Sequence, residues 1–195
     1  ATWSGLAEGE VLIKDTITPI TDGVVQHEVI TNVPTGDQQR IDYIAEIQLS
    51  DTIKLAAGYG LNDASKWSLT PTTKQAAAYE ADHPGETVVA AINADFFNMG
   101  TGEPSGYLIM EGNPIRVWNK NTDEPVNEPF FAILKDGTAV IRDAGSDYSD
   151  VVEAISGPFY LVKDGQIVVG NDGQMPRNSV GITADGTVVF FQNDG

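Results

Sequence analysis

Apolar residues along this chain come in short runs, many of them β-branched, separated by polar clusters rich in Asp, Asn and Gly. Runs of that length bounded by turn residues predict β-strands rather than helices. The part from Val11 to about Ala57 reads as β throughout. Val24–Thr31 and Ile41–Leu49 are its clearest strands, Pro34-Thr35-Gly36-Asp37 is the turn between them, and Ile53–Ala57 is a further short strand. Alternation places Ile41, Tyr43, Ala45, Ile47 and Leu49 on one face, a pattern that Ile44 interrupts. Tyr59-Gly60-Leu61-Asn62 begins an irregular connection expected to pack against Trp67.

One segment changes period. Thr70-Pro71 predicts a helix over about 71–81, with Thr70 as N-cap and Pro71 at the first helical position. His83-Pro84-Gly85 ends it, and Thr87–Ile92 then reads as a buried strand completing an αβ unit. Thereafter the pattern is hairpins. Tyr107–Met110 and Ile115–Trp118 flank Glu111-Gly112-Asn113, and Phe130–Leu134 and Ala139–Arg142 flank Asp136-Gly137. Phe159–Val162 and Gln166–Val169 flank Asp164-Gly165, and Ser179–Thr183 and Thr187–Gln192 flank Asp185-Gly186. Asp-Gly between apolar runs favours tight turns, which need positive φ. Asn119–Pro129 is a polar, Pro-containing loop able to cover a cleft. The expected fold is α+β, a strand-dominated set of mixed sheets with hairpins and one helix, in a single domain over residues 1–195.

Charge and composition narrow the chemistry. A net charge of −17 with 11 Lys and Arg argues against nucleic acid and against an anionic membrane surface. No apolar run is long enough for membrane insertion. An anionic substrate would have to be held by a few local cations against the overall field. The absence of cysteine excludes thiol catalysis, disulfides and Cys-based zinc sites. Of the two histidines, His27 lies in an alternating run and His83 at the helix exit, and both read as structural or solvated. There is no Gly-x-Ser-x-Gly elbow, phosphate-binding glycine loop or His-Glu-x-x-His motif. Chemistry here falls to carboxylates, amides and arginine.

Those residue types recur at strand ends. The run Val88-Val89-Ala90-Ala91-Ile92 turns polar at Asn93, Asp95 and Asn98, beside Phe96 and Phe97. Three later segments have the same form: Ala154-Ile155-Ser156-Gly157-Pro158-Phe159-Tyr160-Leu161-Val162, Pro176-Arg177-Asn178-Ser179-Val180-Gly181, and Phe190-Phe191-Gln192-Asn193-Asp194-Gly195. Together with Pro104-Ser105-Gly106, their order over residues 87–195 resembles the phosphodiester glycosidase family. That family's pattern has an Asn-Gly-x-Phe-Phe-like segment, a Gly-bearing loop, a Ser-Gly-x-x-Leu-Val strand, an Arg-Thr/Asn-x-x-Gly strand and an Asp-Gly ending. Ala94-Asp95 stands where the family often has glycines. Family members also continue past the Asp-Gly into a helix and an Asp-Gly-Gly-Gly-Ser segment, whereas this sequence stops at Gly195. The expectation is a domain incomplete at its C-terminal end, with the remaining segment supplied by further residues or by a second chain.

The resemblance implies hydrolysis of the sugar C1–O bond of a glycosyl-1-phosphodiester, N-acetylglucosamine-1-phosphodiester among them, in an envelope polymer or glycan. It further implies a bacterial protein that is secreted or held in the cell envelope. The alternative is a non-catalytic glycan- or cell-wall-binding module on the same fold. Arg177 is the candidate for the phosphate oxygens, because guanidinium binds them bidentately; otherwise it is a surface arginine. Asp194 is the family-matched carboxylate for C1 and Asp95 the local one, and either also reads as an ordinary turn aspartate. Asn93 and Ser156 are candidates to bond sugar hydroxyls or phosphate oxygens, while Gly106 and Gly157 would let backbone approach the ligand. Phe96, Phe97 and Tyr107 read as core rather than sugar platforms. No cofactor is expected, although Asn93, Asp95, Asn171, Asp172 and Asp194 offer hard oxygens suited to Ca²⁺ or Mg²⁺, without EF-hand spacing.

Overall fold

Strand pairing accounts for nearly all regular structure in the computed structural model, which describes residue 6 and residues 8–32, 39–62, 65–119, 122–168 and 177–194. In chain order the elements are β1 (Val11–Thr21), β2 (Val24–Asn32), β3 (Gln39–Ile47), α1 (Thr72–Asp82), β4 (Leu108–Met110), β5 (Asn113–Arg116), β6 (Trp118–Asn119), β7 (Glu124–Pro125), β8 (Phe130–Leu134), β9 (Ala139–Arg142), β10 (Val151–Ser156), β11 (Val162–Lys163), β12 (Gln166–Ile167), β13 (Arg177–Ile182) and β14 (Val188–Asn193). This is the expected α+β class. The turn expected at 34–37, and Asn171, Asp172, Pro176 and Gly195, lie outside the described residues. Two compact units divide the chain, one formed by residues 1–53 with 172–195 and the other by residues 54–171.

The first unit is a five-stranded antiparallel sheet in the order β1-β2-β3-β14-β13. Its buried apolar side chains include Val24, Val29, Ile44, Ile47 and Val188. The face of β3 differs from the sequence expectation. Tyr43 is exposed, while Asp42 and Ile44 are buried, with Asp42 fully enclosed. A charged residue can take a core position only when its partners come with it. Arg40 Nε donates to Asp42 Oδ2 at 3.0 Å, and the Asn193 amide donates to Asp42 Oδ1. Arg40 Nη1 in turn donates to Glu10 at 2.6 Å. His27 is buried, its Nδ1 3.2 Å from Asp15 Oδ1, which is a structural use of the ring.

In the second unit β10 is the centre of another five-stranded antiparallel sheet, β5-β4-β10-β8-β9. Tyr107, Ile109, Val126, Phe130, Ala132, Val151 and Ala154 form its core. The Tyr107 and Phe130 rings pack with centroids 4.6 Å apart, and Tyr59 meets Trp67 edge-on at 5.3 Å. Glu111-Gly112 (φ 51° and 75°) and Asp164-Gly165 (φ 51° and 73°) turn β4 into β5 and β11 into β12 with both central residues left-handed. Among the described residues the second of these hairpins is shorter than expected: Val162–Lys163 pairs with Gln166–Ile167, and Val168 N donates to Leu161 O at 2.9 Å.

Three expectations fail in this unit. Ile53–Ala57, at the boundary with the first unit, forms no strand. Thr70 is not the N-cap; Pro71 takes that position without a side-chain cap, and the Thr70 hydroxyl lies 2.7 Å from that of Ser68. Thr87–Ile92 is irregular, and Val89, Ala90 and Ala91 are exposed. A strand exists only where a neighbour takes its N–H and C=O groups. No described strand runs beside this segment, and Val88 N donates instead to Glu80 Oε1 at 2.7 Å. Among the described residues no helix is long and apolar enough to cross a membrane.

Candidate functional site

The loop after residue 92 closes on itself and returns the chain to Asp95. Asn98 Oδ1 accepts from Gly100 N at 2.8 Å, and Gly102 N donates to Asn98 O at 2.7 Å. Asn98 N donates to Glu103 O at 2.8 Å and Ser105 N to Phe96 O at 2.7 Å, with a β-bridge between Phe97 and Pro104. The loop therefore sets Gly106 against the carboxylate that opened it. Asp95 Oδ2 accepts from Gly106 N at 2.6 Å, and Oδ1 accepts from Phe96 N at 2.6 Å. Asp95 itself has φ 35°, a left-handed backbone that Asp tolerates better than most residues.

Two sheet strands complete the node. Ser156, at the end of β10, is buried, and its Oγ accepts from Tyr107 N at 2.7 Å. Gly157 N donates to Pro129 O at 3.2 Å, tying that strand end to the approach to β8. Arg116, the last residue of β5, is 9% exposed. Its Nε donates to Ser105 O at 3.3 Å and its Nη1 to Glu103 Oε1. A Cβ on Gly106 would lie 2.5 Å from Ser156 Oγ and 2.6 Å from Glu128 Oε2, closer than real Cβ contacts come. Glycine is required here by close approach. Gly106→Ala is expected to cost about 1–3 kcal/mol of stability through overpacking, read by urea denaturation.

Proton affinity at this node is unusual. Burial raises the Asp95 carboxyl to about 6, the neighbouring Glu128 adds to the rise, and the two N–H donors and Arg116 oppose it. Burial likewise raises Glu128, with Arg116 opposing. Glu128 Oε2 is buried and has no hydrogen-bond partner. Perturbed carboxyls beside a fixed N–H and a guanidinium are a common arrangement for acid–base work at a site.

Of the residues picked from sequence, Asp95, Gly106 and Ser156 come together here, with Gly157 next to Ser156. Asn93 is exposed on the same loop. Phe96 and Phe97 are 60% and 40% exposed, so they are not core; the strand that would have buried them does not form, and the loop carries them outward. Tyr107 is core, as expected. Arg177 and Asp194 belong to the first unit. Register pairs Arg177 with Asn193 and Asn193 with Asp42, one row across β13, β14 and β3, and Arg177 is exposed at its end. Asp194 Oδ1 accepts from Ile41 N at 2.9 Å, extending the β14–β3 ladder by one residue. Among the described residues no three His, Asp or Glu side chains lie together as a group able to hold a metal ion.

Sequence reasoning missed Glu128 and Arg116. Glu128 sits inside the polar loop 119–129 with no motif around it, and Arg116 looked like any residue of a hairpin strand. A signal did exist for the second, since a lone arginine in an apolar strand needs an acidic partner.

The comparisons agree with the motif order. The phosphodiester glycosidase family model matches residues 86–195. The fold is similar to that of a solved structure, a hypothetical protein from Synechocystis, with a TM-score of 0.58 and 12% sequence identity. That match covers 92% of this chain and 52% of the other, so this chain spans about half the length of that relative. No curated protein matches the chain significantly.

Proposed function

The chain belongs to the phosphodiester glycosidase family, and from that membership we propose that it hydrolyses the sugar C1–O bond of a glycosyl-1-phosphodiester. N-acetylglucosamine-1-phosphodiester in an envelope polymer or glycan is the first substrate class to test. The reading carries with it a bacterial protein, exported to the envelope or beyond, in keeping with the absence of cysteine.

The observation that carries this reading is Asp95, half-buried, aimed at the Gly106 backbone and titrating near pH 6 within the family-matched residues. Cleavage at C1 builds positive charge on the sugar ring, which a carboxylate at that carbon stabilises, attacks directly or serves by activating water. Asp95 fills that role. Ser156 fixes the Gly106–Tyr107 backbone, and exposed Phe96 beside Asp95 offers an apolar face to a sugar ring. Arg177 and Asp194, in the first unit, are kept as family-matched candidates, Arg177 for phosphate oxygens and Asp194 for a carboxylate role.

Release of free sugar from a glycosyl-1-phosphodiester is the test. Arg177→Ala and Asp194→Asn are each expected to lower kcat/KM by roughly 10²-fold or more. Both leave the fold in place: Arg177 is exposed, and Asn keeps an oxygen for Ile41 N. Full activity in both variants withdraws those two residues. Calorimetric binding of the substrate without turnover by the full-length protein selects the binding-module reading instead.

A further inference from the structure

We propose that Glu128 is the general acid of this site, paired with Asp95 across Gly106 so that one carboxyl keeps its proton while the other is charged. The inference rests on the glycosidase reading and assigns a group that the sequence motifs do not include.

The geometry separates the two carboxyls. Asp95 accepts two backbone N–H bonds, each at 2.6 Å, and hydrogen bonds to the charged form favour it. Glu128 has no such donors on Oε2, which is enclosed and unpartnered against the Gly106 backbone. A carboxyl oxygen in that setting is better protonated than charged. The charged groups acting on the pair are Arg116 on β5, whose Nη1 is already bonded to Glu103, and the two carboxyls themselves. With one cation serving three acids, the site favours a single negative charge between Asp95 and Glu128 at the pH where it works. Burial raises both groups and Glu128 raises Asp95 further, so the pair retains a proton that either carboxyl alone in water would release. Two carboxyls in unlike environments, one an ion and one an acid, are what glycoside cleavage requires.

In the step itself the C1–O bond breaks and its electron pair goes to the bridging oxygen. Glu128 delivers its proton to the departing phosphate, and the water that adds to C1 returns one proton to the carboxyl pair. The products are a free sugar and a phosphate monoester, and the pair ends as it began.

The test uses the full chain, a glycosyl-1-phosphodiester and kcat/KM against pH. Wild-type protein should give a bell, with the acid limb set by ionisation of the pair's first carboxyl and the alkaline limb by loss of its last proton. Glu128→Gln should lower kcat/KM about 10²-fold and remove the alkaline limb while the acid limb stays. A ¹³C-carboxyl titration of the same proteins supplies a readout free of turnover. The Glu128 signal should titrate above the ordinary glutamate range and move back down in Asp95→Asn. Wild-type turnover with an unchanged bell in Glu128→Gln overturns the assignment while the glycosidase reading stands. A Glu128 carboxyl titrating in the ordinary range also overturns it. No sugar release by wild-type protein on any such substrate ends both together.

Discussion

Asp95→Asn should reduce sugar release by about 10³-fold and at the same time remove most of a pH dependence from folding stability. The second effect follows from the direction of the shift. In the folded chain this carboxyl titrates near pH 6, against 3.8 for an ordinary aspartate. Between those two values the folded chain holds a proton that the unfolded chain has released, so stability falls as pH rises through the window. The fall is complete above the folded value and amounts to about 2–3 kcal/mol. Asn has no such proton to lose. Urea midpoints at several pH values between 4 and 7.5 should therefore converge between wild type and variant at low pH, once the lost hydrogen bond is allowed for, and diverge above it. Parallel curves would show that Asp95 is an ordinary surface carboxyl and would remove the electrostatic basis of the site.

Loss of Arg116 is the other large effect expected. Arg116→Met keeps the aliphatic stem but strips the guanidinium from Glu103 and from the Ser105 carbonyl. The Glu103 carboxylate left behind is 32% exposed and partly solvated, so the loss of its partner and of the bond to Ser105 costs about 1–3 kcal/mol. The same change withdraws the positive field opposing the rise of Asp95 and Glu128, so both carboxyls should titrate higher still. Arg116→Lys should recover part of the stability, because an ammonium can serve Glu103 but cannot match the planar fork. A Met variant as stable as wild type would mean that the pair is effectively solvated.

The hairpins were legible because their turns are a local matter. Gly112, Gly165 and Gly186 all take positive φ, and the residues flanking Gly112 and Gly186 pair as the apolar runs suggested, while around Gly165 the pairing is shorter. Tyr107 was likewise legible as core. Partnership at a distance was not. Asp42 looked like a solvent-facing position in β3, yet it is enclosed because Asn193, 151 residues away, donates to it. Thr87–Ile92 has the composition of a buried strand, but composition does not provide the neighbouring backbone that makes one. Asp95 could be picked out as a loop carboxylate; that it would meet Gly106 N depended on how the loop 96–105 closed.

What the sequence determined by itself is the inventory: antiparallel strands and their tight turns, a strongly acidic chain without thiols, and a motif order that assigns the family. What the tertiary structure decided is the surroundings of each of the chain's 28 Asp and Glu carboxyls, and with them its proton affinity. A carboxyl's proton affinity is set by the water it loses and by the charges and N–H groups brought beside it. At Asp95 those come from the Gly106 backbone, Glu128 and Arg116, a neighbourhood that exists only once the chain has folded.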